Sequence, residues 1–151
     1  MDIGGPEGLK RFFDELPQKI SQASELALTR AAEKIQTDLS TIFKTEGRSH
    51  GVDWKDLNPR YLTWKVKKGF SEKKLHRTTT LAQSFTYKVQ DWKAVIGTPV
   101  PYAVYHETGT RRGIPPRPYM QPVVKKFLEE NHFTKIFERS LKEVLWNAYG
   151  A

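Results

Sequence analysis

Small and apolar side chains recur every three or four positions through the first third of the chain. Ile20, Ser24, Ala27, Ala31, Ile35, Leu39 and Ile42 form one stripe, the spacing of a helix with a single packed face, and predict helix over 8–43. Pro17 suits a first turn better than a helix interior, so the expected break divides this stretch into a short piece and a long one. In the short piece Phe12, Phe13 and Leu16 are the candidate anchors.

The period then changes. Residues 45–53 hold two glycines and no periodicity, the pattern of a turn-rich loop expected to be mobile in an isolated subunit. Trp54, Leu57, Tyr61 and Trp64 return to helical spacing, with Asn58-Pro59 as N-cap and first helical residue and Gly69 as the stop. Phe85-Thr86-Tyr87-Lys88-Val89 alternates apolar and polar, Gln90-Asp91 offers a turn, and 92–97 returns as a second strand. Residues 102–107 read as a helical turn or two stopped by Gly109, and 111–118, with three prolines, as a surface loop or edge.

Two helical stretches close the chain. The first holds Val123, Val124, Phe127 and Leu128, and the second Phe133, Ile136, Phe137, Leu141, Val144, Leu145 and Trp146, with a bend at Asn131-His132. The order helix, hairpin, helix predicts an α+β fold. It has a long N-terminal helix, a small antiparallel sheet with a hairpin, and C-terminal helices, in one domain over residues 1–151.

Charge adds a second layer to this picture. The chain carries a net +8 at pH 7, and residues 44–77 hold ten Lys or Arg against four Asp or Glu, +6 of that total. A solvated face is the commoner meaning of such a run, and a contact surface for DNA or an acidic protein is the sharper one. Lys65, Lys67, Lys68, Lys73, Lys74 and Arg77 are its candidate contact residues. Trp54, Tyr61, Trp64 and Phe70 interleave with these lysines as in a base-stacking surface, although helical spacing already explains three of the four as a face packed on the core.

Candidate chemistry is sparse. Without cysteine there is no disulfide, thiol catalysis or Cys-based zinc site. His106-Glu107 has Thr110 where a zincin helix needs its second histidine, and no nucleophile elbow, P-loop or dinucleotide fingerprint occurs. These absences predict no catalytic residues, no metal, no cofactor and no small-molecule substrate. The start of the chain, 1–7, lacks the basic and apolar regions of a signal peptide, and no run approaches a membrane span. Synthesis in the cytoplasm, with no membrane partner, is the expectation.

Ordered pieces over the stretch from Trp54 to Pro122, led by the glycine-containing loop before it, carry a resemblance. They are Gly51-Val52-Asp53-Trp54-Lys55-Asp56-Leu57; Leu75-His76-Arg77-Thr78-Thr79-Thr80-Leu81-Ala82-Gln83-Ser84; Ile96-Gly97-Thr98; Tyr102-Ala103, His106 and Gly109; and Pro115-Pro116-Arg117-Pro118-Tyr119. In this order and spacing the chain resembles the tailed-phage virion morphogenesis family, the Mu-type tail-completion proteins, and more loosely the head–tail joining proteins of the phage neck. Thr79 stands where that family usually has glycine, which leaves a left-handed turn there open and allows helix to run straight on.

The resemblance implies a non-enzymatic structural subunit that forms a ring, commonly a hexamer, at the head-proximal end of the tail or in the neck. The implied partners are other copies of the chain and neck, head-connector or tail-tube proteins, with genomic DNA passing through the ring and assembly in the host cytoplasm. Tyr102, Tyr105, His106, Glu107, Arg111, Arg112, Arg117 and Tyr119 combine aromatic and arginine side chains with a rigid proline loop, and are the candidate interface. A basic DNA-binding accessory protein is the alternative, with the 44–77 segment as its footprint.

Overall fold

A computed structural model describes residues 4–150; Ala151 and Met1, Asp2 and Ile3, part of the N-terminal stretch read for a signal peptide, lie outside the described residues. Helix α1 (Gly5–Lys44) is unbroken, with Pro17 inside it. The expected break does not occur even though Pro17 has no N–H to offer the Phe13 carbonyl. The reason lies in α6 (His132–Tyr149), which lies along α1 as a splint. On one side of the proline Tyr149 donates to Glu15 at 2.6 Å and its ring meets Phe12 at 5.2 Å; on the other Arg30 reaches Ser140 and Glu143 at 3.2 and 2.9 Å. Tertiary packing on both flanks holds the geometry that the proline alone disfavours. Small residues make the approach close, since Ala23, Ala27, Ala31 and Ala32 are buried along α1 and Ser140 on α6.

Past Ala32 the same helix enters the main core. Leu39, Ile42 and Phe43 pack with Trp54, Leu81, Phe85, Ala103, Tyr119 and Val123. Phe43 is the hub, its ring 5.1–5.8 Å from those of Tyr119, Trp54 and Phe85. The loop after α1, far from lying free, carries a 3-10 turn (Arg48–His50) and is tied down by Thr45 and Ser49 hydroxyls 2.7 Å apart and by Lys126, which donates to the Ser49 carbonyl.

Trp54 belongs to this core and to no helix, because α2 (Pro59–Lys67) begins only after Asn58, whose side chain accepts from the Arg60 N–H at 3.0 Å. The expected aromatic helix face therefore divides. Trp54 is buried, while Tyr61 and Trp64 remain about two-fifths exposed and stack on each other at 5.7 Å. At the other end of α2, Gly69 (φ 77°) donates to Val66 and Phe70 to Lys65, the paired bonds of a Schellman stop.

Thr79 takes the left-handed conformation, φ 58°, ahead of the short α3 (Thr80–Gln83). The turn that glycine usually makes is thus retained by a threonine, and helix does not run straight on. The sheet is a two-stranded antiparallel hairpin, β1 (Thr86–Gln90) and β2 (Lys93–Gly97), in the register Thr86↔Gly97 to Gln90↔Lys93. Its turn residues are Asp91 and Trp92, one position later than expected, both with positive φ (51° and 61°) as a two-residue type I′ turn demands. Helix α4 (Ala103–Thr108), α5 (Met120–Glu129) and α6 complete the chain, with Asn131 at φ 52° making the sharp bend before α6. The α+β architecture expected from the sequence is the one observed.

Candidate assembly surface

The proline loop is built back onto α4. Helix α4 stops at Gly109, whose φ of 75° suits glycine, and a Cβ there would stand 2.9 Å from the Ile114 carbonyl and 3.0 Å from Pro116. The loop closes with Thr110 N–H to Ile114 and Arg117 N–H to the His106 carbonyl, 2.9 and 2.7 Å. Two side chains then fasten it. Arg117, only 5% exposed, donates from Nε to the Lys55 carbonyl at 2.9 Å and from Nη2 to the Asp56 carbonyl at 3.2 Å. Trp54 donates from Nε1 to the Pro118 carbonyl at 2.8 Å. Burial pushes the Arg117 pKa down, opposed by the nearby Asp56 charge.

Glu107 works inside the subunit. Its carboxylate accepts from the backbone N–H groups of Tyr119, Met120 and Gln121 at 2.8, 3.1 and 3.0 Å. Those donors open α5, whose own N-cap residue, Tyr119, supplies no side-chain bond. An anion at that end also meets the positive pole of the helix dipole. Tyr119 is buried, donates its hydroxyl to the Ala103 carbonyl at 2.8 Å, and has its phenol pKa pushed up by burial and then by the Glu107 charge.

His106 stands between these supports and the surface. Its ring packs edge-on to Tyr102 at 5.9 Å, and its Nδ1 is buried without a hydrogen-bond partner. Burial, and secondarily the charge of Arg117, hold its pKa below the usual 6.5, which keeps the imidazole neutral at pH 7. Of the eight candidate interface residues, Tyr102, Tyr105, Arg111 and Arg112 are exposed, His106 and Glu107 half-buried, and Arg117 and Tyr119 buried.

The basic segment sorts in the same manner. Lys65 is 1% exposed and donates to the Lys73 carbonyl at 2.6 Å, its pKa lowered by burial. Lys74 bonds the Trp54 carbonyl and pairs with Asp56 at 2.9 Å. Lys73 reaches the Lys44 carbonyl at 3.3 Å from the surface, and Lys67 and Lys68 are exposed. Arg77 lies over the rings of Trp64 and Phe70, 5.3 and 5.4 Å from their centroids.

Together the two segments enclose an open groove of about 580 Å³. Tyr61 and Tyr102 stand in its walls, Arg77, Arg117, Lys65 and His106 are its nitrogen-bearing basic side chains, and no Asp or Glu lines it. The sequence named nearly all of these residues without joining them, because α2, the 75–81 segment and the proline loop meet only through the fold. It missed two structural duties, the cap supplied by Glu107 and the buried ammonium of Lys65, for which residue type alone gives no signal. Among the described residues no group of three His, Cys, Asp or Glu side chains is placed to hold a metal ion, and no helix is long and apolar enough to cross a membrane.

Comparison with known proteins agrees with the ordered motifs. Residues 6–141 match the model of the phage virion morphogenesis family, and the chain belongs to that family. No curated protein and no solved structure matches it. Membership gives the chain a structural and assembly role in a bacteriophage virion, put together in the host.

Proposed function

We propose that this member of the phage virion morphogenesis family is a tail-completion or head–tail joining protein, acting as a ring at the head-proximal end of the tail or in the neck. The observation that carries the reading is the exposed set Tyr102, Tyr105, Arg111 and Arg112, displayed on a short helix and proline loop fastened by Arg117, Trp54 and Glu107. Aromatic and arginine side chains on a rigid support lose little entropy on docking, and they are the types that anchor protein interfaces. In a ring of identical copies, commonly six, such a face meets a different face of the next copy, and the rotation closes the assembly.

The ring's flat faces then meet neck, head-connector or tail-tube proteins, and DNA passes through the centre. No step in this role calls for catalysis, a cofactor or a small-molecule substrate. Arg111→Glu with Arg112→Glu tests the assignment, since both side chains are exposed and the fold does not depend on them. The double variant is expected to melt like the parent and fail to complete particles in an assembly extract. Full completion by that variant would refute the interface. Affinity for duplex DNA that falls about 10³-fold or more between 50 and 200 mM salt, with no self-association, would favour the DNA-binding alternative instead.

A further inference from the structure

The β1–β2 hairpin ends in an arrangement that the subunit itself does not use. Type I′ turns favour Asn and Gly, yet this one places Trp92 at φ 61° with 57% of its surface exposed. A bulky side chain held in the left-handed region is strained, and such strain persists where it positions a group for use. Trp92 makes no aromatic contact within the described residues, and Asp91 beside it is exposed too.

The groove has the opposite character. It is lined by Tyr61, Tyr102 and the exposed Arg77, with Arg117 and Lys65 buried in its wall, and no Asp or Glu is among its lining residues. Arg117 uses Nε and Nη2 within the subunit, while its Nη1 bonds to none of the described residues. The buried Nδ1 of His106 likewise has no partner. A volume of about 580 Å³ admits an indole with a carboxylate beside it, and falls within the range of sites that bind compact ligands.

We propose that the Asp91-Trp92 tip of one copy docks in the groove of a second copy, Trp92 between the tyrosines and Asp91 against Arg77 and Arg117. The Asp91 carboxylate is complementary to the groove's arginines, and tryptophan and arginine are the residues that dominate interface energetics. Asp91 lies in the turn itself, and Lys93 in the Gln90↔Lys93 pair that closes it. Within the subunit the tip does not occupy the groove, since neither Asp91 nor Trp92 is among the residues that line it. Tip and groove are different surfaces, so the contact is head-to-tail and repeats around a closed assembly. The inference deepens the ring reading by naming a contact between its copies.

The absence of native cysteine makes the test clean. Gln90→Cys beside the tip and Thr78→Cys in the groove lining are made in separate preparations, one enlarged by a tag, then mixed and oxidised. Lys10→Cys on α1, paired with Thr78→Cys, is the collision control. The mixed disulfide is expected to form at least about tenfold faster than the control, as docking raises effective concentration. Adding Trp92→Ala or Asp91→Lys to the Gln90→Cys copy is expected to return the rate to the control level.

Equal rates, or a rate indifferent to Trp92→Ala, would overturn the docking. A ring-sized oligomer that forms with Trp92→Ala would overturn it while leaving the ring reading in place. Loss of particle assembly with Arg77→Glu but not with Trp92→Ala would assign the groove to an acidic segment of another protein, and overturn it too. Fast, Trp92-dependent crosslinking in a chain whose light-scattering mass never exceeds that of a pair would support the docking and count against the ring.

Discussion

Glu107 is the residue for which a role in the fold and a role in the interface give opposite expectations. Its carboxylate holds three backbone N–H groups at the start of α5, and Glu107→Ala leaves all three without that acceptor. Loss of a helix cap costs about 1 kcal/mol, and a charged acceptor raises the value of each bond it takes part in. The Gln121 N–H lies at the exposed end of the set and recovers water, whereas the Tyr119 N–H belongs to a buried residue. The expected loss is therefore about 2–3 kcal/mol, between one cap and three full charged bonds. For a chain of this length that lowers the melting temperature by roughly 5–10 °C. Glu107→Gln keeps one acceptor oxygen and is expected to lose about half as much. Thermal unfolding followed by circular dichroism measures both. If Glu107→Ala melted within about 1 °C of the parent while abolishing assembly, the cap would be energetically empty and Glu107 would belong to the interface.

Two further perturbations follow from backbone strain and burial. Thr79→Gly relieves the left-handed φ of 58° and, after the extra entropy of an unfolded glycine, is expected to stabilise by about 0.5–1 kcal/mol in urea titration, with Thr79→Val shifted the other way. A Thr79→Gly variant less stable than the parent would refute the strain. His106 has a folded pKa below its unfolded value near 6.5, so the unfolded chain binds more protons, and stability falls as pH drops through 6.5 until the folded pKa is passed. His50 shares that direction, its pKa likewise lowered first by burial. His106→Gln is therefore expected to flatten, but not remove, the fall in melting temperature between pH 7 and 5, and an unchanged slope would contradict the buried neutral imidazole.

Elements defined by local chemistry were legible in the sequence. The Asn58-Pro59 start, the Gly69 and Gly109 stops and the bend at Asn131 each depend on a few adjacent residues and stand where the pattern placed them, and the hairpin stands one position later. The departures are places where distant packing overrides local preference. Pro17 stays within α1 because α6 braces both sides, and Thr79 keeps a turn that glycine would make more easily. Trp54 has helical spacing with Tyr61 and Trp64 but is drawn into the core by Phe43 and by the Pro118 carbonyl. At the candidate surface, composition picked out the segments, but arginine and glutamate read alike whether they fasten a loop or face a partner. Arg117 and Glu107 do the former within the subunit, leaving Tyr102, Arg111 and Arg112 to the surface.

The most direct test of the account is the mass of the purified chain in solution, by light scattering over a range of concentrations and with tail or neck proteins added. The account predicts a discrete closed oligomer, formed alone or on meeting those partners, and insensitive to duplex DNA. A chain that stays monomeric under every such condition and engages only DNA, with steep salt dependence, would contradict it.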